Sequence, residues 1–273
     1  MADAKKASKP GKRPDFATIG GLVLATVGIV GGLLLEGGEI GDITQLTAGI
    51  IVLGGTIGAV LINTPLATFM GAMRRLMGVF FEPTMQGAAL MAQLVGYATR
   101  ARKAGVVSLE QEAQAITDPY LRKALGLAVD GTDIQELRKM LEMQIDMDEH
   151  HAESEARVFE SAGGYAPTIG IIGAVMGLIQ VMKNLSDIDK VGHGIAVSFV
   201  ATVYGVAVAN IFFLPVANKI KARAQDESRM KEMILEGVVG IVEGMNPKLV
   251  QTKLEAFVHV EPVKPGKAPK AKA

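Results

Sequence analysis

The sequence predicts an all-α integral membrane protein with four transmembrane helices and a helical cytoplasmic domain inserted between helices 2 and 3. Four stretches contain no charged residue: 16–35, 43–73, 161–182 and 194–218. A helix needs about 20 apolar residues to cross a bilayer, so each stretch is long enough. The composition agrees, because 49% of the residues are hydrophobic and 32 of the 273 are glycine, which lets membrane helices approach closely.

A basic N-terminal extension, residues 1–15, precedes the first span. Its cations are Lys5, Lys6, Lys9, Lys12 and Arg13. A signal peptide also begins with basic residues, but its apolar run is shorter than the one at 16–35. This run ends in Leu-Leu-Leu-Glu, which is not a small-residue cleavage site. The stretch therefore predicts a retained first transmembrane helix.

The basic residues nearest the spans predict the orientation in the membrane. They flank the N-terminal side of spans one and three and the C-terminal side of spans two and four: Lys12, Arg13, Arg74, Arg75, Arg157, Lys219, Lys221 and Arg223. Such residues concentrate on the cytoplasmic side. We therefore predict a multi-pass membrane protein with both termini in the cytoplasm.

The cytoplasmic domain, residues 74–160, is predicted to be helical from its capping signals. The first helix, 85–104, ends at Gly105, a residue suited to a helix C-terminus. Ser108 and Gln111 have the spacing of a capping box, which predicts the start of a second helix.

Two further helices complete this domain. Asp118 and Pro119 open the third, and Gly131 ends it. Asp133 and Glu136 open the fourth, which is long and is predicted to run into span three.

The remaining segments follow span four. Residues 219–260 are predicted to form cytoplasmic helices, and 261–273, rich in proline and lysine, to form a disordered tail. The chain has no cysteine, which excludes disulfides, thiolate metal sites and thiol nucleophiles.

Span three contains three glycines on or near one face, Gly170, Gly173 and Gly177. Such a face predicts close helix packing. Span four contains Ser198 and Thr202, which lie one helical turn apart. These hydroxyls could line a pore, or they could bond back to their own helix.

Each of the last two spans also contains a proline. Pro167 could begin a helix, where its missing N–H costs nothing, or it could have a conformational role. Pro215 lies late in span four, where it should free a backbone carbonyl and bend the helix. The bend could be a hinge or a static kink.

Two motifs together with this architecture resemble the MotA family of flagellar stator subunits, across about residues 16 to 255. The first is the string from Ala166 to Leu178, APTIGIIGAVMGL. The second, from Arg102 to Glu110, is RKAGVVSLE and resembles the torque-contact motif of the family. The family also has a proline in each of the last two spans, matched by Pro167 and Pro215.

The resemblance implies a pentamer around two copies of a MotB-type partner, whose single span carries the ion-binding Asp. Ion flow would turn the ring and generate torque on the rotor switch protein FliG through Arg102, Lys103 and Glu110. Ala174 and Thr202 would face the ion path, with Ser198 beside them. Sodium-driven members tend to have threonine at the position of Ala174, so H+ is favoured over Na+. The resemblance also implies a location in the bacterial inner membrane and no bound cofactor.

Three other readings stay open from sequence. The first is an ExbB or TolQ-like proton-driven energy coupler, which resembles this chain in its last two spans, or a stator of another surface machine such as gliding. A metal site could use His151 and Glu155, which are one helical turn apart within an acidic segment, although a solvated helix face is the simpler explanation. A passive membrane scaffold is the third. We expect neither enzyme activity nor nucleic-acid binding.

Overall fold

A computed structural model describes residues 13–82 and 87–258. Most of the predicted basic extension and the predicted disordered tail lie outside these residues. The helices, in chain order, are α1 (Phe16–Leu35), α2 (Leu46–Gly49), α3 (Gly55–Asn63), α4 (Leu66–Val79), α5 (Gly87–Ala104), α6 (Glu110–Ala115), α7 (Pro119–Val129), α8 (Ile134–Lys183), α9 (Ile188–Ala207), α10 (Leu214–Val242) and α11 (Pro247–Glu255).

Shorter elements connect or extend these helices. Two 3₁₀ turns cover Ile40–Ile43 and Val106–Leu109, and two π-helical segments cover Ile50–Gly54 and Val208–Phe213. The extended residues of the described chain are β1 (Arg13–Pro14) and β2 (Phe81–Glu82), which pair antiparallel. The predicted all-α class is confirmed.

Four helical stretches are long and apolar enough to cross a membrane, as predicted. They are Phe16–Leu35, Ile40–Asn63, and parts of the continuous helical segments Ile134–Lys183 and Ile188–Val242. The prediction that the fourth cytoplasmic helix runs into span three is confirmed, because α8 continues for 50 residues without a break.

The charge-free run 43–73 is divided between two helices. The helical stretch of span two ends at Asn63, and α4 begins at Leu66. Pro65 causes the break, because a proline disfavours helical backbone in the residue before it. Thr64 is accordingly extended, with φ −126° and ψ 129°. Residues 66–73 therefore belong to a helix separate from span two.

The described residues form two compact units. The first comprises 13–82 and 150–224, and the second comprises 87–149 and 225–258. Both α8 and α10 contribute residues to each unit. The first unit contains the four apolar stretches together with residues 74–82 and 150–160 of the predicted cytoplasmic domain, and the second contains residues 87–149 of that domain.

The second unit is a helical domain with its own apolar core. Its largest fully buried side chains are Leu94, Leu109, Leu121, Leu125, Leu137, Leu141, Met233 and Leu254. Two predicted helix starts are confirmed, since Asp118 Oδ1 accepts a hydrogen bond from the Leu121 N–H at 2.7 Å and Asp133 Oδ1 accepts one from Gln135 at 2.9 Å.

The capping box predicted at Ser108 and Gln111 is wrong. The Ser108 hydroxyl donates instead to the Gly105 carbonyl at 2.6 Å, and α6 begins at Glu110 without a side-chain cap. Gly105 has φ +81° and ψ 158°, a backbone conformation that is essentially restricted to glycine. It turns the chain away from α5, as predicted, and the 3₁₀ turn replaces the capping box.

The first unit has two small cores. One contains Val60, Ala72, Val79, Ala156, Val158, Phe159, Ala162, Val216, Ala217 and Ile220. The other is Ala48, Val52, Val200 and Ala201, which joins span two to α9. Beside it, the Tyr204 hydroxyl donates to the Ile43 carbonyl at 2.6 Å. No residue of α1 is buried, so this helix lies at the edge of the unit.

Candidate ion path and rotor-contact surface

The membrane parts of α8 and α9 meet through glycines. A Cβ atom built on Gly170 would lie 2.8 Å from the Ala201 carbonyl oxygen, and one built on Gly205 would lie 2.5 Å from that of Ala166. Both distances are shorter than a real Cβ contact, so only glycine permits this approach. The helices are therefore packed backbone to backbone at these positions.

The same interface continues along span three. A Cβ on Gly173 would lie 2.8 Å from the Ala201 methyl group, and one on Gly177 would overlap the Ser198 hydroxyl. The three glycines that the sequence placed on one face of span three thus all face α9. A carboxylate or ammonium group has no space between these helices.

The three predicted ion-path residues differ in their surroundings. Ser198 is buried, and its hydroxyl donates to the Gly194 carbonyl of its own helix at 2.9 Å. Thr202 is half-buried and donates to the Ser198 carbonyl at 3.3 Å. Ala174 is also half-buried. In this chain Ser198 lies inside the α8–α9 interface, whereas Ala174 and Thr202 are partly accessible.

Both prolines lie inside continuous helix. Pro167 is in the interior of α8, so the interpretation that it begins a helix is wrong. Pro215 follows the π-helical segment Val208–Phe213 directly. Because proline has no N–H, the carbonyl four residues earlier loses its usual donor. The wider π-helical turn is a backbone arrangement that accommodates this missing hydrogen bond. Such π segments are frequent at functional sites.

The predicted rotor-contact residues lie at one tip of the second unit. Arg102 and Lys103 are in the last turn of α5, and Glu110 is the first residue of α6. All three side chains are exposed. Among the described residues, none of the three has an ion-pair partner within 4.0 Å. The tip therefore presents two cations and one anion to the solvent.

Neighbouring residues hold this tip in place. Leu109 is fully buried in the core of the unit, directly before Glu110. Arg100 forms an ion pair with Glu112, which joins α5 to α6 across the turn. Arg100 is therefore engaged within the domain, whereas Arg102 is available to a partner. Arg100 and Arg102 look alike in the sequence. The structure distinguishes them, because of the two only Arg100 forms an ion pair within the described part of the domain.

A buried ion cluster that the sequence did not predict lies at the start of span one. Asp15 is 5% exposed. Its carboxylate accepts hydrogen bonds from the Thr18 N–H at 2.9 Å, Lys219 Nζ at 2.7 Å and Arg223 Nη2 at 2.8 Å. Arg223 also donates to the Gly78 carbonyl. The cluster ties the beginning of α1 to α10.

The hydrogen bonds of this cluster determine the ionisation of Asp15. Burial raises the pKa of the carboxyl group, but the donors Lys219, Thr18 and Arg223 outweigh burial and hold the pKa below its ordinary value of 3.8. Asp15 is therefore ionised at neutral pH. The basic residues after span four were interpreted only as an orientation signal, because their partner is about 200 positions away.

A second buried carboxylate was also missed. Glu155 is 4% exposed and forms an ion pair with Arg75 of α4. His151 Nε2 lies 3.3 Å from its other oxygen. A side chain on Gly71 would overlap this carboxylate, so the glycine makes room for it.

These contacts change the interpretation of the acidic run around His151. Glu155 is neither on a solvated helix face nor free for a metal ion, because an arginine neutralises it. Among the described residues, no group of three or more histidine, aspartate or glutamate side chains could hold a metal.

Comparison with known proteins identifies the family. The model described as the MotA/TolQ/ExbB proton channel family matches residues 112–233. The model described as the motility protein A N-terminal region matches residues 19–106. Together they cover nearly all of the four spans, the glycine interface between α8 and α9, and Arg102 and Lys103 of the charged tip. The chain belongs to the MotA family.

Relatives support this assignment along almost the whole chain. Motility protein A of Helicobacter pylori is 35% identical over 89% of this chain and 95% of its own length. A MotAB structure from C. jejuni matches with a TM-score of 0.87 at 32% identity, covering 91% of this chain and 98% of that one. The flagellar MotAB stator complex from Bacillus subtilis matches with a TM-score of 0.80 at 30% identity, covering 89% and 96%.

Membership of the MotA family decides between the readings that the sequence left open. The N-terminal motility model covers the first two spans and α5, which separates the chain from an ExbB or TolQ-like coupler. The family is one of channels rather than enzymes, so the expectation that the chain is not an enzyme is confirmed. The resemblance found in the two sequence motifs is confirmed as well.

Proposed function

We propose that this chain is the MotA-type subunit of a bacterial flagellar stator, and that it conducts protons together with a single-span partner. Its relatives are named motility protein A, and the structures it resembles are MotAB complexes. The proposal places the ion path along α8 and α9 and the rotor contact at Arg102, Lys103 and Glu110.

The observation that carries the proposal is the absence of charge from all four apolar stretches. Ion carriers in membranes use ionisable side chains, which face the bundle interior or a cavity. The α8–α9 interface has glycine backbone and methyl groups where such a side chain would lie. The proton acceptor therefore has to come from another chain, and an aspartate on the single span of a MotB-type partner has the required chemistry.

The preference for protons is supported by Ala174. A sodium ion needs several oxygen ligands, whereas a proton can pass through water to a carboxylate. Ala174 supplies no oxygen, and Ser198 is buried in the α8–α9 interface rather than exposed to an ion. Swimming that does not depend on sodium and stops with a protonophore is the expected result. Sodium-dependent swimming would contradict the proton assignment without affecting the stator assignment.

The proposed assembly is a pentamer around two partner chains, with FliG as the rotor component that meets the tip. Both termini are proposed to be cytoplasmic, on the evidence of the basic residues flanking the spans. Because the chain has no cysteine, topology can be tested with single cysteines. Ser186→Cys should react with an impermeant maleimide in intact spheroplasts, and Gln114→Cys only after lysis. The reverse pattern would overturn the orientation.

Charge reversal tests the rotor contact. Arg102→Glu or Glu110→Lys should strongly reduce swimming, because each reversal replaces an attraction across the rotor contact by a repulsion. Membrane insertion and assembly with the partner chain should be unchanged. Lys139→Glu is a matched control, since Lys139 is an exposed cation on a different helix of the same unit.

The control and the double variant make the test decisive. Lys139→Glu should swim like the wild type. If the Arg102 and Glu110 double reversal swims as well as this control, the rotor-contact proposal fails. If the reversals at Arg102 and Glu110 lose assembly, as judged by co-purification with the partner, whereas Lys139→Glu keeps it, the tip has a structural role and the proposal also fails.

A further inference from the structure

A trough of about 440 Å³ runs beside α1 in the first unit. One wall is formed by α1, and the other by the π-helical segment and the start of α10. The side chains that shape it are Ala17, Gly21, Ala25, Phe212, Pro215 and Val216. None of these residues is needed by the proposed ion path or rotor contact except Pro215, which lies on the trough wall.

The lining of the trough is mostly apolar, with Thr18, Asn210 and Lys219 as its polar side chains. Asn210 lines it, but its amide donates to the Val206 carbonyl of the same helix at 2.9 Å. The walls belong to spans one and four, and no residue of α1 is buried in the protein. At this depth the surrounding medium is hydrocarbon, so a flexible apolar chain is the natural occupant.

Charge marks one end of the trough. Lys219 lines it there, and the cluster of Asp15, Lys219 and Arg223 combines one carboxylate with two cations. The cluster therefore carries one net positive charge at the boundary of span one. Lysine side chains commonly extend along apolar surface and keep the ammonium group at the membrane interface. A single phosphodiester complements this charge.

We propose that the trough binds one phospholipid, with an acyl chain along Gly21 and Ala25 and its phosphate beside Lys219. This site is separate from the ion path and does not depend on the proposed proton coupling. The acyl chain would contact the wide turn before Pro215, where the helix lacks its regular hydrogen bonds. A bound lipid would thus fill the space that the π-helical segment leaves beside α1.

Two glycines of α1 make a matched test possible. A Cβ on Gly21 meets no atom within 4 Å, and neither does one on Gly20. Gly21 lines the trough, whereas Gly20 lies on another face of the same helix at the same depth. Gly21→Leu should place an apolar side chain in the trough, beginning from a Cβ that meets no other atom, and Gly20→Leu should add the same side chain outside it.

Native mass spectrometry of the intact complex, purified in mild detergent, measures the retained phospholipid. The wild type and Gly20→Leu should retain one more phospholipid per copy of this chain than Gly21→Leu, with the protein stoichiometry unchanged. Equal lipid counts in the three proteins, or none in the wild type, would overturn the proposal. A change in protein stoichiometry with Gly21→Leu would mean that a protein chain occupies the trough, which also overturns it.

A second measurement applies even if Gly21→Leu assembles poorly. Ala25→Cys and Gly20→Cys, each labelled with a small fluorophore and placed in lipid nanodiscs, report contact with phospholipids whose acyl chains are brominated. Comparable quenching at the two positions is expected if the trough contains an acyl chain. Quenching several-fold weaker at Ala25 would show that protein covers it, and the proposal would fail.

Discussion

Adding one methyl group at Gly205 should separate the two helices that form the proposed ion path. The Cβ atom of Gly205→Ala would lie 2.5 Å from the Ala166 carbonyl oxygen and 3.1 Å from the Gly170 Cα. Ordinary contacts begin at 3.4 Å. Because both opposing atoms belong to the backbone of α8, neither can rotate away, and α8 and α9 have to move apart by about 0.9 Å.

Two opposite effects determine the change in the free energy of unfolding. Replacing glycine by alanine within a helix stabilises it by about 0.5–1 kcal/mol. Overpacking an interface costs about 1–3 kcal/mol, and a backbone obstacle favours the upper half of that range. We expect Gly205→Ala to be destabilised by about 1–2 kcal/mol. Gly192 is in the same helix, and nothing lies within 4 Å of a carbon added there. Gly192→Ala should therefore be stabilised by about 0.5–1 kcal/mol, with no overpacking cost.

Unfolding of the purified complex in a denaturant titration, followed by far-ultraviolet circular dichroism, measures the difference between the two variants. Swimming speed measures the effect of Gly205→Ala on conduction. Ala174 and Thr202 of the proposed ion path lie on the two helices that this substitution moves apart. We expect Gly205→Ala to be the less stable variant by about 2 kcal/mol and to swim more slowly. If it is as stable as Gly192→Ala, the backbone contact inferred here does not exist.

Three further perturbations test the remaining sites. Glu155→Ala should cost about 3 kcal/mol in a denaturant titration, because it leaves Arg75 partly buried without its anion; a change below about 1 kcal/mol would mean that the pair is solvated. Gly105→Ala should cost about 1–3 kcal/mol and weaken swimming, whereas Gly96→Ala, in open space within α5, should do neither. The pKa of Asp15 is lowered in the fold, so its contribution is present above the unfolded pKa of about 3.9 and is lost as pH falls below it. The stability difference between wild type and Asp15→Asn should therefore be constant above about pH 5 and shrink below about pH 4; a difference that grows on acidification would refute this assignment.

Local signals in the sequence predicted most of the helices correctly. The charge-free runs marked the spans because a charged side chain is costly in hydrocarbon. Asp118 and Asp133 marked helix starts because a carboxylate can accept hydrogen bonds from the free N–H groups there. Gly105 marked a helix end because its backbone conformation is available to glycine alone. Each signal involves residues within a few positions of one another, so no tertiary contact is needed to interpret it.

The buried ion clusters could not be predicted in this way. Nothing near Asp15 in the sequence indicates that Lys219 and Arg223 will pair with it, because the packing of α1 against α10 brings them together. Glu155 is one of several acidic residues on α8, and only its position opposite Gly71 and Arg75 distinguishes it. Gly71 leaves room for the Glu155 carboxylate, but the sequence does not connect the two residues, which are about 80 positions apart.

The distribution of charge in this chain explains why it requires a partner. An aspartate placed between α8 and α9 would push apart a contact made through glycine, and placed on the lipid side it would be exposed to hydrocarbon. A carboxylate on a separate helix avoids both costs, because in the proposed ion path it would lie along Ala174 and Thr202 without interrupting the glycine contact. This chain then provides the rigid wall of the path and the exposed charges of Arg102, Lys103 and Glu110. Proton conduction by liposomes that contain this chain alone would contradict that division.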